Sequence, residues 1–172
     1  LEVIDGPNRE RDYCIITLFL NCGMRVSELV GIDLQDISED RLRLLGKGNK
    51  ERIVYLNQAC LNAIQAYLPH RTTPNAASRS ALFISRLGNR IDVQTVKALV
   101  KKYLTMAGLS QKHCSVHKLR HTAATLMLQN GVDVKAVQEV LGHEHLNTTE
   151  IYTHIDNEAL RIAAKANPLS HV

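Results

Sequence analysis

The sequence predicts an α+β fold that is mainly α-helical and contains a small three-stranded antiparallel sheet. Most of the 172 residues lie in segments whose apolar residues recur three or four positions apart, between residues that typically begin or end helices. Two strand-like runs, 41–45 and 52–56, flank a glycine-rich turn and predict a hairpin. At this length we expect one domain with a substantial core.

Two helices are predicted ahead of the sheet. The first opens at Pro7-Asn8 and runs to about Cys22, and Gly23 follows where a helix C-cap belongs. The chain then restarts at once, and residues 24–30 predict a second, shorter helix.

The sheet is predicted to begin with a first strand over 32–37. The hairpin follows, with strands 41–45 and 52–56 joined by the turn Gly-Lys-Gly-Asn-Lys. Lys47 stands at the tip of this turn, where a mobile lysine can reach into a groove. Most lysines at such positions only stay solvated, so the position alone decides nothing.

The later helices are each predicted from a capping residue and an apolar periodicity. Their expected bounds are 57–68, 92–107, 115–130, 133–141, a short helix from Thr148, and 157–166. Residues 69–80 are expected to form a surface loop, and residues 110–114 a connector. Gly142 ends the fourth of these helices and leaves His143 on the loop beyond.

The charge of the chain favours a polyanionic partner. The formal net charge is +4, and the basic residues crowd two segments. These clusters are Arg41, Arg43, Lys47, Lys50 and Arg52, and Arg86, Arg90, Lys97, Lys101 and Lys102. A solvated helix face explains the second cluster equally well. With 4% aromatic residues and no tryptophan, stacking on single-stranded bases is disfavoured, and duplex DNA held by its phosphates fits better.

The four cysteines indicate a reducing compartment, and we expect a cytoplasmic protein. They are widely spaced without a Cys-x-x-Cys pair, and three of them fall in apolar helical patterns where buried thiols are common. The sequence has no apolar run of transmembrane length and no leader-like start, and it begins at Leu1. We therefore expect no membrane contact and a fragment of a longer protein.

Residues 117–152 hold side chains suited to phosphate chemistry. His117 and Arg120 are three apart and would share one helix face, while Leu119 turns toward a core. A glycine-preceded histidine, His143, and a tyrosine, Tyr152, follow. A base, a fixed cation and a phenol are the parts that a phenolic nucleophile needs to attack a phosphate.

A second arginine stands near the start of the helix predicted over 24–30. Arg25 lies at its N-terminal end, where backbone amides favour an anion, and Glu28 lies one turn on. A surface ion pair between these two residues is the equally simple alternative. The candidate residues include no cluster of carboxylates that would hold Mg²⁺, so fixed cations would have to neutralise the phosphate.

Five blocks of the sequence closely resemble the signature blocks of the tyrosine recombinase (phage integrase) family, nearest to Xer-type recombinases. They are Cys-Gly-Met-Arg-Val-Ser-Glu-Leu at 22–29, Gly-Lys-Gly-Asn-Lys-Glu-Arg at 46–52, His-Lys-Leu-Arg-His-Thr at 117–122, Leu-Gly-His at 141–143 and Ile-Tyr-Thr-His at 151–154. The blocks occur in the family's order and span nearly the whole chain. Together they are far more specific than any one of them.

The resemblance implies a site-specific DNA recombinase that needs neither metal, ATP nor another cofactor. Tyr152 would attack the scissile phosphate and form a 3'-phosphotyrosyl link with a free 5'-hydroxyl. Arg25 and Arg120 would bind the non-bridging oxygens, where charge builds in the transition state.

The resemblance also assigns the other side chains. Lys47 would protonate the departing 5'-oxygen, and His117 would act as a base toward the phenol. His143 would hydrogen-bond the phosphate. Glu28 would support the active-site arginines and histidine.

The resemblance further implies that residues 1–172 are the C-terminal catalytic domain and that the family's N-terminal DNA-clamping domain is absent. Weak binding to double-stranded DNA is then expected. On DNA, the protein is expected to form a homotetramer or a heterotetramer with a related recombinase. The helix over 157–166 would dock on a neighbouring protomer, unless it folds back on its own core.

Three alternatives remain open. A type IB topoisomerase uses a similar tyrosine and arginine set to relax supercoils. A metal protein is suggested by His117 and His121, four apart, with Cys114 nearby, but the chain lacks His-Glu-x-x-His. A non-catalytic DNA-binding module would need only the basic charge.

Overall fold

The structure, a computed structural model, describes residues 1–109 and 115–142, and of Lys47 only the backbone. The described part contains six α-helices and three strands. In chain order they are α1 (Arg9–Cys22), α2 (Val26–Gly31), β1 (Ile37–Ser38), β2 (Arg41–Leu45), β3 (Glu51–Tyr55), α3 (Gln58–Tyr67), α4 (Val93–Met106), α5 (Val116–Gln129) and α6 (Val134–Leu141). The predicted class, mainly helical with a small three-stranded antiparallel sheet, is confirmed.

Helix α1 lies at the centre of the core. It packs against α3 and α5, and residues on every side of it are buried, including Ile15, Leu18 and Phe19. A helix that is buried all round is expected at the middle of a fold rather than at its surface. Gly23 ends α1 in a left-handed conformation, with φ of 56°, as the predicted C-cap requires.

The hairpin forms as predicted. Strands β2 and β3 pair antiparallel, with Leu42 opposite Val54 and Leu44 opposite Arg52, and β1 pairs with the other edge of β2. The side chains alternate between the core and solvent, so Leu42 and Leu44 are buried while Arg43 is exposed. The tight turn between the strands contains Lys47, and the backbone N–H of Gly46 donates to the carbonyl of Lys50 at 2.8 Å.

The predicted first strand over 32–37 is wrong for most of its length. Residues Leu34–Asp36 form a 3-10 turn, and only Ile37–Ser38 pairs with β2. The backbone N–H of Asp33 donates to the carboxylate of Asp36 at 2.8 Å. Short acidic side chains offer the backbone a local hydrogen bond that competes with a strand, and here the local turn prevails.

The four later helices that fall in the described part have the predicted bounds to within a residue or two. Asn57 caps α3, Asp92 caps α4 and Asp133 caps α6, in each case by accepting a hydrogen bond from a backbone N–H in the first turn. Gly142 ends α6 with φ of 63°. The predicted connector 110–114, the helix from Thr148 and the helix 157–166 lie outside the described residues.

Cys14, Cys22 and Cys60 are buried free thiols, as the sequence predicts. The sulfur atoms of Cys22 and Cys60 lie 3.8 Å apart between α1 and α3. Across residues 1–109 and 115–142, no helix combines the length and the hydrophobicity needed to cross a bilayer.

Candidate active site

The site begins where α1 ends and α2 starts. The left-handed turn at Gly23 redirects the chain so that Arg25 takes the N-cap position of α2. Glu28, one turn on, bends back, and its Oε2 accepts a hydrogen bond of 2.6 Å from the backbone N–H of Arg25. The Oε1 atom of Glu28 accepts a second one, of 3.1 Å, from Nη1 of Arg25. The alternative of a surface ion pair is therefore wrong for Glu28, whose side chain is only 1% exposed.

Arg52 brings a second guanidinium to the same carboxylate from strand β3. Its Nη2 donates to Oε2 of Glu28 at 3.0 Å, and its Nη1 donates to Oε1. Its Nε donates to the carbonyl of Val140 at 3.2 Å. Arg52 thus joins the sheet, α2 and α6 through one planar group.

Arg120 brings the third guanidinium, from α5. Leu119 and Ala123 of this helix face the core, and Arg120 is itself buried. Its Nη1 donates to the carbonyl of Gly23 at 2.6 Å, and its Nη2 donates to the carbonyl of Leu141 at 2.5 Å. Arg120 therefore ties the end of α1 to the end of α6.

The end of α6 is where the three arginines meet. Arg52 donates to the carbonyl of residue 140, Arg120 to that of residue 141, and Arg25 to that of Gly142 at 3.1 Å. The last carbonyls of a helix have no partner within the helix and carry a partial negative charge, so cations are favoured there. Three consecutive carbonyls are each held by an arginine from a different element, immediately before residue 143.

Two glycines permit this close packing. Gly142 has φ of +63°, and a Cβ atom there would lie 3.1 Å from both Cδ and Nε of Arg52. Gly23 has φ of +56°, and its Cβ would lie 2.6 Å from Cδ2 of Leu141. Both positions need glycine for the backbone conformation and for the approach of a neighbouring side chain.

The cluster carries an excess of positive charge. Three guanidiniums face one carboxylate. Burial by itself raises the pKa of Glu28, but hydrogen bonds from Arg52 and from the Arg25 backbone, with the charges of both arginines, hold that pKa below its usual value. Burial, together with the repulsion of Arg25 and Arg52, lowers the pKa of Arg120 to about 10, so its guanidinium stays charged at neutral pH. Such a cluster can bind an anion with forked, charged donors.

The structure brings together three of the seven residues predicted for the site, namely Arg25, Glu28 and Arg120. His117 lies exposed one helical turn before Arg120 on α5. The backbone of Lys47 lies in the hairpin turn, which starts beside the cluster, because a Cβ atom on Gly46 would lie 3.6 Å from Oε1 of Glu28.

The last two predicted residues, His143 and Tyr152, lie outside the described residues. His143 directly follows Gly142 in the sequence.

Arg52 is part of the site although no role was predicted for it beyond its place in the first basic cluster and at the end of the block 46–52. A signal was present, because Arg52 stands two residues before Val54 in a strand and so belongs to the same, inward side. For the second basic cluster, the interpretation as a solvated helix face is wrong at Arg90. Arg90 donates to the carbonyls of Val30 and Ile32 and to Asp33, so it holds the fold together.

The residues suggested for a metal protein are only partly described. His117 and His121 are both exposed on α5, and Cys114 lies outside the described residues. Among residues 1–109 and 115–142, no three His, Cys, Asp or Glu side chains come together as a metal-binding group.

Known proteins resemble this chain over most of its length. The model of the phage integrase family matches residues 1–159. The tyrosine recombinase XerC of Caldanaerobacter subterraneus subsp. tengcongensis is 57% identical over 171 residues, which are 99% of this chain and 48% of that protein. The tyrosine recombinase XerD of Yersinia pestis is 40% identical over 162 residues, which are 92% of this chain and 54% of that protein. The chain thus spans about half the length of the curated relatives it matches.

Solved structures agree with the fold. The XerH site-specific recombinase, in a pre-cleavage complex with its difH substrate, superposes with a TM-score of 0.74 at 30% identity, covering 95% of this chain and 50% of that one. The XerA recombinase superposes with a TM-score of 0.70 at 33% identity, covering 91% and 57%.

Proposed function

This chain belongs to the phage integrase family, and from that premise we propose that it catalyses site-specific DNA recombination by cleaving and rejoining DNA strands. The observation that carries the proposal is the meeting of Arg25 and Arg120 at one helix end, from separate elements. Both arginines have N–H groups beyond those used in the contacts above. These two guanidiniums can neutralise the charge that grows on a phosphodiester during attack.

The reaction would pass through a covalent link to Tyr152. The phenolic oxygen attacks the scissile phosphorus, the bond to the 5'-oxygen breaks, and a 3'-phosphotyrosyl bond forms with release of a 5'-hydroxyl. One ester replaces another, so its energy is kept. The 5'-hydroxyl of a partner strand can then attack the phosphotyrosyl bond, release Tyr152 and rejoin the DNA without ATP. Arg25 and Arg120 bind the non-bridging oxygens throughout.

The proton transfers would fall to the remaining predicted residues. An unperturbed phenol has a pKa near 10 and is mostly protonated at neutral pH, so His117 takes its proton. Lys47 gives a proton to the departing 5'-oxygen, and the hairpin turn next to Glu28 suits that role. His143 donates a hydrogen bond to the phosphate, and its place after the arginine-bound end of α6 suits this role.

The partner would be duplex DNA in a tetramer of this protein, or in a tetramer shared with a related recombinase. The chain would act as the C-terminal catalytic domain and bind DNA weakly without a second, N-terminal domain. Residues 157–166 would dock on a neighbouring protomer. The reduced, buried cysteines fit work in the cytoplasm.

The proposal is tested on a pool of nicked suicide duplexes with randomised sequence around the nick. Cleavage next to the nick releases a short 5'-hydroxyl fragment, so the covalent adduct accumulates and its DNA can be sequenced. Wild-type protein should give an adduct that survives denaturation, and Tyr152→Phe should give none. The selected sequence is then tested in two assays, strand exchange between two copies of the sequence and relaxation of a supercoiled plasmid that contains it. Strand exchange without relaxation supports a recombinase over a topoisomerase. Absence of any adduct that needs Tyr152 contradicts the proposal.

A further inference from the structure

We propose that Arg52 is a positioning residue for the cleavage reaction, an inference that rests on the function proposed above. Its guanidinium joins the carboxylate of Glu28 to the end of α6, and so sets the orientation of Arg25. Arg52 acts through Glu28 and Arg25 and does not need to touch the DNA.

Arg25 and Arg52 share the carboxylate of Glu28 completely. Oε2 of Glu28 accepts from the backbone N–H of Arg25 and from Nη2 of Arg52, and Oε1 accepts from Nη1 of each arginine. Glu28 is 1% exposed, so no water replaces a lost partner easily. Without Arg52, one half of the carboxylate's bonds disappear, and the carboxylate that orients Arg25 is free to rotate.

Arg52 also contacts the end of α6. Nε of Arg52 donates to the carbonyl of Val140, and Gly142 packs against the side chain so closely that a Cβ atom would lie 3.2 Å from Cζ of Arg52. The same three-residue helix end accepts Arg25 at the carbonyl of Gly142. Arg52 therefore fixes both groups that contact Arg25, the carboxylate on one side and the helix end on the other.

The planar shape of the guanidinium suits Arg52 to this role. It has five donors in a rigid plane, so it can bind both oxygens of Glu28 through its terminal nitrogens while Nε reaches a carbonyl. A lysine at this position carries the same charge but only a single ammonium group. The positioning role consequently requires arginine, whereas a general attraction for DNA would require only a positive charge.

The hairpin offers a matched control in Arg43. It stands on the neighbouring strand but on the outer face, 44% exposed, and binds Asp36 at 2.7 Å and Glu51 at 2.9 Å. Arg43→Ala removes the same charge from the same hairpin without changing any contact of Glu28. The two variants therefore differ in the positioning role and match in the loss of charge.

The experiment measures single-turnover cleavage of the selected suicide duplex at saturating DNA by the protein that contains this chain. Arg52→Ala and Arg52→Lys should both slow the rate constant roughly 10- to 100-fold, the range known for groups that hydrogen-bond and orient the ligands of a metal. Arg43→Ala should slow it less than about threefold, because exposed ion pairs contribute little. Circular dichroism and the fraction of protein that reacts separate misfolding from slow chemistry, since misfolding lowers the amplitude and not the rate constant.

A double variant shows whether Arg52 works through Arg25. In an Arg25→Ala background, adding Arg52→Ala should cost less than about threefold, because the side chain it orients is already gone. Three results would overturn the positioning role and leave the proposed function standing. They are a wild-type rate for Arg52→Lys, a wild-type rate for Arg52→Ala, and additive losses in the double variant. If wild-type protein forms no adduct that needs Tyr152, the proposed function fails first, and the role of Arg52 falls with it.

Discussion

The guanidinium of Arg120 donates a hydrogen bond of 2.5 Å to the backbone carbonyl of Leu141. This contact joins the helix that carries the His-x-x-Arg block to the end of α6, where the Leu-Gly-His block begins 21 residues later in the chain. Two sequence blocks that resemble those of recombinases are therefore in direct contact, and the contact is made by the residue expected to bind the phosphate.

Arg120 should raise the cleavage rate by neutralising charge on the phosphate, in addition to stabilising the fold. Arg120→Ala is expected to slow cleavage by about 10²- to 10³-fold, as the removal of one donor to developing negative charge usually does. On a methylphosphonate duplex, in which a methyl group replaces one charged oxygen, the loss should be much smaller. Single-turnover rates on both duplexes measure the difference.

Arg90 provides the control for that comparison. It also donates to two backbone carbonyls, but those of Val30 and Ile32, and it contacts Asp33. Arg90→Ala should therefore affect both duplexes equally. Equal losses for Arg120→Ala on the two duplexes would contradict its role in neutralising the phosphate.

Lys47 should be dispensable when the leaving group needs no proton. Lys47→Ala is expected to slow cleavage of an ordinary duplex by roughly 10²- to 10⁴-fold, the range for general acids. A duplex with sulfur in place of the bridging 5'-oxygen releases a thiolate, whose conjugate acid has a pKa of about 8.5, so the variant should regain most of the wild-type rate on it. Failure of the sulfur substrate to restore the rate would exclude Lys47 as the proton donor.

Glu28 should stabilise the fold only above acidic pH. The folded state holds the pKa of Glu28 below its ordinary value of 4.5, so the charged form contributes stability that is fully present above about pH 5 and is lost as the pH falls through the folded pKa. Glu28→Gln should lower the free energy of unfolding by roughly 3 kcal/mol at pH 7, because it removes the charge of a buried, hydrogen-bonded ion pair. Denaturant unfolding from pH 7 to pH 3 should show the two proteins converging in acid, and a constant difference would contradict the pKa shift.

Gly142 should be intolerant of a side chain. Gly142→Ala forces a Cβ atom into a left-handed backbone against Arg52, and we expect a loss of about 1–2 kcal/mol in unfolding free energy. Gly31→Ala is the control, because Gly31 lacks the left-handed φ and has open space around it. That variant should be neutral or slightly stabilising, and equal effects for the two would show that the contact with Arg52 is unimportant.

Local patterns were enough to predict most of the elements, and the one wrong strand lies where two local patterns compete. The caps at Asn57, Asp92 and Asp133 and the hairpin turn act within a few residues, so the sequence shows them directly. The strand expected over 32–37 gives way to a turn because Asp33 and Asp36 bond to each other, a choice that apolar alternation does not reveal.

The residues of the site also differ in how far the sequence could predict them. Arg25 and Arg120 could be predicted because they lie in blocks that resemble a known family. Arg52 also lies in such a block, at 46–52, but the block alone assigns it no role, because that role depends on contacts with Glu28 and Val140, which are 24 and 88 residues away in the chain. Arg90 was predicted as part of a basic surface for the same reason. Only the fold shows that its guanidinium is hydrogen-bonded to Val30 and Asp33.

Mapping the nucleophile tests the central claim most directly. The adduct trapped on a suicide duplex is digested with protease and nuclease, and the peptide that carries the nucleotide is sequenced by mass spectrometry. We predict a 3'-phosphate ester on the oxygen of Tyr152 and on no other residue. A link to any other side chain, or an adduct that still forms with Tyr152→Phe, would contradict the proposed chemistry.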